Sequence, residues 1–283
     1  MLKVYFNGRI ADHRQPLVSG NNRGLLYGDG LFETILVMGG RPLLLNEHLH
    51  RLKKGMDLLS LTLPEPNRET NIGKQIEELI KTNNISSGRF RVTVFRGDGR
   101  LDDIANGEAN LLIQGWPLKD IPTLNNKGLK LTIYTQAKKS VDAFSHIKHN
   151  NFLPFAMGMH YARENEADDA LILNPAGRVC ETCIANIWMV KDGILRTPSL
   201  DEGPIAGIMR NFLIRHCTTK KIPIMETAIT LEELKSADEI FISNSIRIIN
   251  WVENMDGVKF SHAFSTTLFE TLKKDYPEIF PPG

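Results

Sequence analysis

Apolar and polar side chains alternate over Lys3–Phe6, stop at Asn7-Gly8 and resume at Ile10, the signature of a tight hairpin at the start of the chain. A second hairpin is expected where residues 31–37 and 41–45 flank Gly39-Gly40. The apolar period then lengthens. From Asn46, a residue suited to an N-cap, Leu49, Leu52, Met56 and Leu59 share one helical stripe; Ile72, Ile76, Leu79 and Ile80 repeat the pattern across 71–83. Strand-like runs return at 90–95 and 109–114.

Periodicity lapses over the polar stretch 118–127, which reads as a linker between a small N-terminal α+β domain (1–117) and a large C-terminal domain (128–283). In the second domain the pattern predicts a strand at 129–135, a helix at 151–164 and a hairpin over 170–190. That hairpin turns at Pro175-Ala176-Gly177, and its second arm reads as one strand from Val179 to Val190. A short strand at 194–196, a helix at 207–217, strands at 239–243 and 248–252, and a helix at 262–274 follow. Strands and helices interleave without internal repeats, so the expected class is α+β, as two mixed α/β domains.

Composition narrows the function classes. A 283-residue chain, 42% hydrophobic and 24% charged, is that of an ordinary globular protein with room for two cores. A formal charge of +1 gives no basis for nucleic acid or an anionic membrane surface as partner. The N-terminal segment reaches a turn too early for a signal peptide, and no apolar run nears the roughly 20 residues that span a bilayer. A cytoplasmic location is the expectation. Cys180 and Cys183 form a C-x-x-C, but a second pair at zinc-finger spacing is missing and no βαβ start surrounds them. Buried thiols are expected there, and no metal site.

Three features carry chemistry. Lys148 sits between a strand and a helix start among His146, His149, Asn150 and Asn151, where side chains are often presented into clefts; the plain alternative is a surface lysine. Glu181 interrupts an apolar strand, and is either an outward-facing carboxylate or the partner of a buried cation. Gly203-Pro204-Ile205-Ala206-Gly207-Ile208 leads into an amphipathic helix whose first N–H groups can bind phosphate, or it is an ordinary helix start. Ser243-Asn244-Ser245 can donate to the same anion or simply turn the chain, and Arg51 offers a guanidinium fork or a solvated helix position. A lysine amine, a carboxylate and a phosphate cradle, in that order, suit a phosphorylated pyridine aldehyde.

With these residues in view, the chain resembles the class IV aminotransferases, the pyridoxal-phosphate enzymes of fold type IV: branched-chain aminotransferases, D-amino-acid aminotransferases and aminodeoxychorismate lyases. The matching wording is Asn22-Arg23-Gly24, Tyr27-Gly28-Asp29-Gly30-Leu31-Phe32-Glu33-Thr34, Glu47-His48-Leu49-His50-Arg51-Leu52, Ile147-Lys148, Glu181 with Asn186-Ile187, Thr197-Pro198, Gly207-Ile208-Met209-Arg210 and Phe241-Ile242-Ser243-Asn244-Ser245. The resemblance implies pyridoxal 5'-phosphate as cofactor, Lys148 as the Schiff-base lysine and proton shuttle, and Glu181 as partner of the pyridine nitrogen. It places Arg51, Ile208, Met209, Asn244 and Ser245 around the phosphate and Ile205 against the ring. It also implies a small amino substrate bearing carboxylate, and a homodimer.

Two departures stand out. Met209 occupies a position where many aminotransferases have threonine, leaving only its backbone donor, and Phe152 stands where branched-chain enzymes have a tyrosine. Thr34, the Asn244-Ser245 pair, the Gly-Ile-Met-Arg wording and the cysteines flanking Glu181 are similar to the lyases. Tyr27, Arg91, Arg96 and Arg100 are expected to face substrate; loop solvation is the plain alternative for the arginines. The Arg-x-His pattern of D-amino-acid enzymes is missing around Arg96 and Arg100. The lyase is the first reading, and a branched-chain or D-amino-acid aminotransferase the second. A coenzyme-binding scaffold without turnover is the third, and it has no need of Lys148 together with Glu181. Gly28-Asp29-Gly30 is not a dinucleotide fingerprint, because Glu33 replaces the third glycine, and Arg96-Gly97-Asp98 reads as a turn.

Overall fold

A computed structural model describes residues 2–103, 107–119 and 122–280. Asp120 and Ile121, within the stretch read as a linker, lie outside the described residues. The chain forms two compact units, Met1–Ile121 with Ile147–Asn151, and Pro122–His146 with Phe152–Phe280. Residues 147–151, placed by sequence in the C-terminal domain, are thus counted with the N-terminal unit.

The first unit contains β1 (Lys3–Phe6), β2 (Arg9–Asp12), α1 (Arg23–Tyr27), β3 (Gly30–Met38), β4 (Arg41–Pro42), α2 (Leu45–Leu58), α3 (Ile72–Asn83), β5 (Gly88–Arg96) and β6 (Ala109–Pro117). Its strands make an antiparallel sheet in the order β2-β1-β6-β5-β3-β4. Leu31, Ile35 and Val37 of β3 join Phe90, Val92 and Val94 of β5 in a core closed by Leu52 and Met56 of α2 and by Ile72, Ile76 and Leu79 of α3. Each such fully buried side chain contributes roughly 1.5–3 kcal/mol. Because strand side chains alternate, Phe32 and Thr34 face the other way, and so do their cross-strand neighbours Thr93 and Arg91. The expected Asn46 cap is corrected here. Helix α2 begins at Leu45 after Leu44, whose left-handed φ of 50° turns the chain without any side-chain cap, so Asn46 lies inside the first turn.

The second unit contains β7 (Leu129–Tyr134), α4 (Leu153–Glu164), β8 (Asp169–Leu173), β9 (Val179–Thr182), β10 (Asn186–Lys191), β11 (Ile194–Pro198), α5 (Ile208–Thr219), β12 (Ile224–Thr227), α6 (Leu231–Lys235), β13 (Glu239–Asn244), β14 (Ile248–Met255), β15 (Val258–Lys259) and α7 (Ala263–Asp275). A mixed sheet runs β12-β11-β10-β13-β14-β7-β8-β9, with β15 on β14. The strand expected from Val179 to Val190 is broken. Thr182 N donates to Ala185 O at 2.9 Å and Cys183 N to Ala170 O at 3.1 Å, making a turn after which β10 pairs with β11 and β13 instead of β8. The fold is α+β. Among the described residues no helix is long and apolar enough to cross a membrane.

Candidate active site

In the first unit, Lys148 is delivered by a short extended segment laid against β3. Phe32 N donates to Lys148 O at 2.8 Å and Asn150 N to Gly30 O at 2.9 Å, with a further bridge between Leu31 and His149. Gly30 permits this approach: a Cβ there would lie 2.6 Å from Val94 O and 2.7 Å from Asn150 Nδ2. The half-buried Lys148 side chain brings Nζ to 4.7 Å from the centre of the Phe32 ring. On the same ring lies the Arg91 guanidinium, its Cζ 3.6 Å from the centroid, while Arg91 Nη2 donates to Asn150 Oδ1 at 3.5 Å. Thr34, opposite Arg91, is the one position of β3 that is not fully buried. Lys148, Thr34 and Arg91 are therefore brought together on the open side of the sheet.

The inward side of β3 holds a group that sequence reasoning overlooked. Glu33 is 1% exposed and accepts from Arg51 Nε at 2.7 Å and Nη2 at 2.6 Å, with His48 Nδ1 2.6 Å from its Oε2. Burial alone pushes this carboxyl up, but the Arg51 and His48 charges and hydrogen bonds outweigh it and hold the pKa down at about 2. Arg51, expected at a phosphate, gives Nε and Nη2 to this carboxylate on β3. The signal was legible: a glutamate among core residues needs counter-charge, and a His-x-x-Arg on the following helix supplies it.

The other expected substrate residues are placed elsewhere. Arg96 donates to Asp29 Oδ2 at 2.8 Å and to Leu59 O at 2.6 Å, which ties β5 to the end of α2. Arg100 is 83% exposed beside Asp102, an ion pair in full solvent that contributes little. Tyr27 ends α1 with its ring exposed.

In the second unit, Glu181 on β9 is 3% exposed, and its Oε2 accepts from Ile205 N at 3.2 Å. Burial, then the charge of Glu181, pushes the adjacent Cys180 thiol up, so a neutral group flanks the carboxylate. Burial raises Cys183 likewise. Asn186 Nδ2 donates to Ile205 O at 3.0 Å, so both backbone polar groups of Ile205 are used to hold the loop that leads into α5. Gly207 is the N-cap of α5 and gives it no side-chain cap, leaving the first-turn N–H groups, among them those of Ile208 and Met209, as donors for an anion. Within this unit, a buried carboxylate on an apolar strand and an uncapped helix start are the donor types that suit the ring nitrogen and the phosphate of a phosphorylated pyridine aldehyde. Asn244 is otherwise engaged: its Oδ1 accepts from Ile246 N at 3.0 Å and Arg247 N at 2.9 Å, and its Nδ2 donates to Ile184 O at 3.3 Å. Ser245 is half-buried in the turn that follows β13.

Gly207 has a conformation that any residue can adopt, yet a Cβ there would collide with Asn186 Oδ1. Gly207→Ala is therefore expected to displace Asn186, break its bond to Ile205 and cost about 1–3 kcal/mol, which urea unfolding measures. Coenzyme affinity, read by fluorescence titration, falls with it.

The family model for class IV amino-transferases matches residues 30–253. The chain belongs to that family. It is a pyridoxal-phosphate-dependent transaminase or lyase. Over 281 residues it is 29% identical to the putative branched-chain-amino-acid aminotransferase of Methanocaldococcus jannaschii, covering 98% of this chain and 96% of that protein. It is also 29% identical over 252 residues to the aminodeoxychorismate lyase of Bacillus subtilis, covering 86% and 83% respectively. The crystal structure of a putative 4-amino-4-deoxychorismate lyase from Legionella pneumophila matches with a TM-score of 0.84 at 26% identity, covering 93% of this chain and 97% of that one. Class IV members thus include both reaction types among the relatives of this chain.

Proposed function

We propose that this class IV enzyme is an aminodeoxychorismate lyase, converting 4-amino-4-deoxychorismate to 4-aminobenzoate and pyruvate. The observation that supports it best is the outward row of β3: Phe32 carries Lys148 and Arg91 on its ring, and the next outward residue is Thr34, a hydroxyl on an otherwise buried strand. Bound pyridoxal phosphate supplies an electron sink for the carbon bearing the substrate amine. Lys148 would hold the coenzyme through Nζ, and the same amine would accept the proton from the carbon that bears the substrate amine. Arg91 holds a substrate carboxylate. The Thr34 hydroxyl hydrogen-bonds the oxygen that departs with the pyruvate fragment. Glu181 keeps the ring nitrogen protonated, and the N–H groups of Ile208 and Met209, with Arg51 and Ser245, bind phosphate. On the family resemblance the assembly is a homodimer and the location cytoplasmic.

Supplying 4-amino-4-deoxychorismate and following 4-aminobenzoate and pyruvate tests this directly. The second reading, amino transfer to branched-chain or D-amino acids, is favoured by the end-to-end match to the archaeal putative aminotransferase. Glutamate formed from 2-oxoglutarate with leucine or D-alanine, in the absence of lyase turnover, would replace the first reading with the second. Thr34→Gly is expected to lower lyase turnover about a hundredfold while coenzyme affinity shifts less than threefold.

A further inference from the structure

Arg89 and Arg91 lie two residues apart on β5, so their side chains leave the same face of the sheet, with Cα atoms roughly 7 Å apart at about 3.4 Å per residue. That face is the one carrying Phe32 and Thr34: Arg91 is paired with Thr34 and Arg89 with Leu36, while Phe90 and Val92 between and beside them point into the core. Arg91 is half-buried, Arg89 exposed. Across the sheet the Arg89 Cζ sits 4.9 Å from the centre of the Trp116 ring, which fixes its direction on that face. Among the described residues neither guanidinium is ion-paired to a carboxylate. Two like charges are thus held side by side with no counter-charge, and burial together with the Arg89 charge pushes the Arg91 guanidinium down. An arrangement that costs energy in the free protein is relieved by an anion spanning both.

We propose that Arg89 is a specificity-determining residue that binds a second carboxylate of the substrate, making this site selective for dicarboxylic over monocarboxylic ligands. The proposal rests on the reading above, in which Arg91 takes the first carboxylate beside Lys148. A fork of five donors reads a carboxylate bidentately, and the Trp116 face holds that fork in place. Monocarboxylic ligands engage Arg91 alone, leaving the Arg89 charge uncompensated.

The test is calorimetric titration of the coenzyme-loaded protein with glutarate and with valerate, ligands of equal chain length that differ by one carboxylate. Glutarate is expected to bind at least tenfold more tightly. Arg89→Gln should lower glutarate affinity at least tenfold and change valerate affinity less than twofold. Arg89→Lys should recover part of the glutarate affinity, and Arg91→Gln should weaken both ligands. Equal binding of the two ligands by the wild type, or a glutarate-to-valerate ratio unaltered in Arg89→Gln, overturns the proposal. Its failure is separable from failure of the lyase reading. Glutarate preference without lyase turnover supports the role of Arg89 and retires the lyase, whereas lyase turnover without glutarate preference retires Arg89 alone.

Discussion

Lys148→Ala is expected to abolish the near-visible absorbance of the coenzyme-loaded protein and to lower turnover roughly 10³-fold or more, since in the proposed mechanism one nitrogen serves both as covalent attachment and as proton carrier. The fold should be little affected. What anchors the segment is the main chain, through Lys148 O to Phe32 N and Asn150 N to Gly30 O, and truncation at position 148 leaves both bonds in place. Thermal unfolding of the variant within a few degrees of wild type would separate lost chemistry from lost structure. Borohydride reduction of the loaded wild type followed by peptide mapping should place a pyridoxyl group on Lys148. A trapped group on another lysine would remove Lys148 from the mechanism.

The second large effect is on stability. Glu33 is a fully buried carboxylate whose two oxygens are both taken up by Arg51, with His48 on one of them. Its removal leaves a guanidinium and an imidazole facing an empty space in the core, and Glu33→Ala should cost about 3–5 kcal/mol in urea unfolding. The pH dependence has a defined sign. The folded-state pKa, at about 2, lies below the ordinary 4.5, so the native state favours the ionised form. The resulting stabilisation, roughly 3 kcal/mol, is fully present above pH 4.5 and is lost as pH falls from there towards 2. The stability gap between wild type and Glu33→Gln should accordingly shrink across that window. A gap that stayed constant from pH 7 to pH 3, the latter inside the window that closes at about 2, would show that Glu33 acts by shape and not by charge.

Long periodic segments were readable from sequence because burial and period agree there: 71–83 and 239–243 differ from α3 and β13 by a single residue at one end. Failures occurred where local hydrogen bonds decide. A three-residue turn at 183–185 splits an apolar run that reads as one strand, and the left-handed Leu44 starts α2 without the side-chain cap that Asn46 suggested. Residues 147–151 illustrate a different limit. Their attachment to β3 depends on backbone groups and on Gly30, and no side-chain pattern records it.

The candidate site was legible in proportion to how far each role depends on position within an element. Lys148 and Arg91 were named from sequence, and they share one aromatic ring in the structure. Arg96 was named beside Arg91 because the family resemblance puts substrate-carboxylate binding on this strand and the loop after it. Five residues apart on one strand they face opposite sides of the sheet, and Arg96 ends on Asp29 and the carbonyl of Leu59. Arg89 was passed over, although its two-residue spacing from Arg91 gives it the same face. Strand parity alone separates the arginines: Arg89 and Arg91 share the face of Thr34, and Arg96 does not.

Strand β3 also divides its residues into those free to drift and those that are not. Glu33 faces Arg51 and His48, so most replacements there threaten folding, whereas Thr34 beside it can change with little consequence for the core. New specificities can therefore arise by substitution at Thr34 while the scaffold is kept. A one-residue deletion between Leu31 and Ile35 would exchange the two sets and lose both at once.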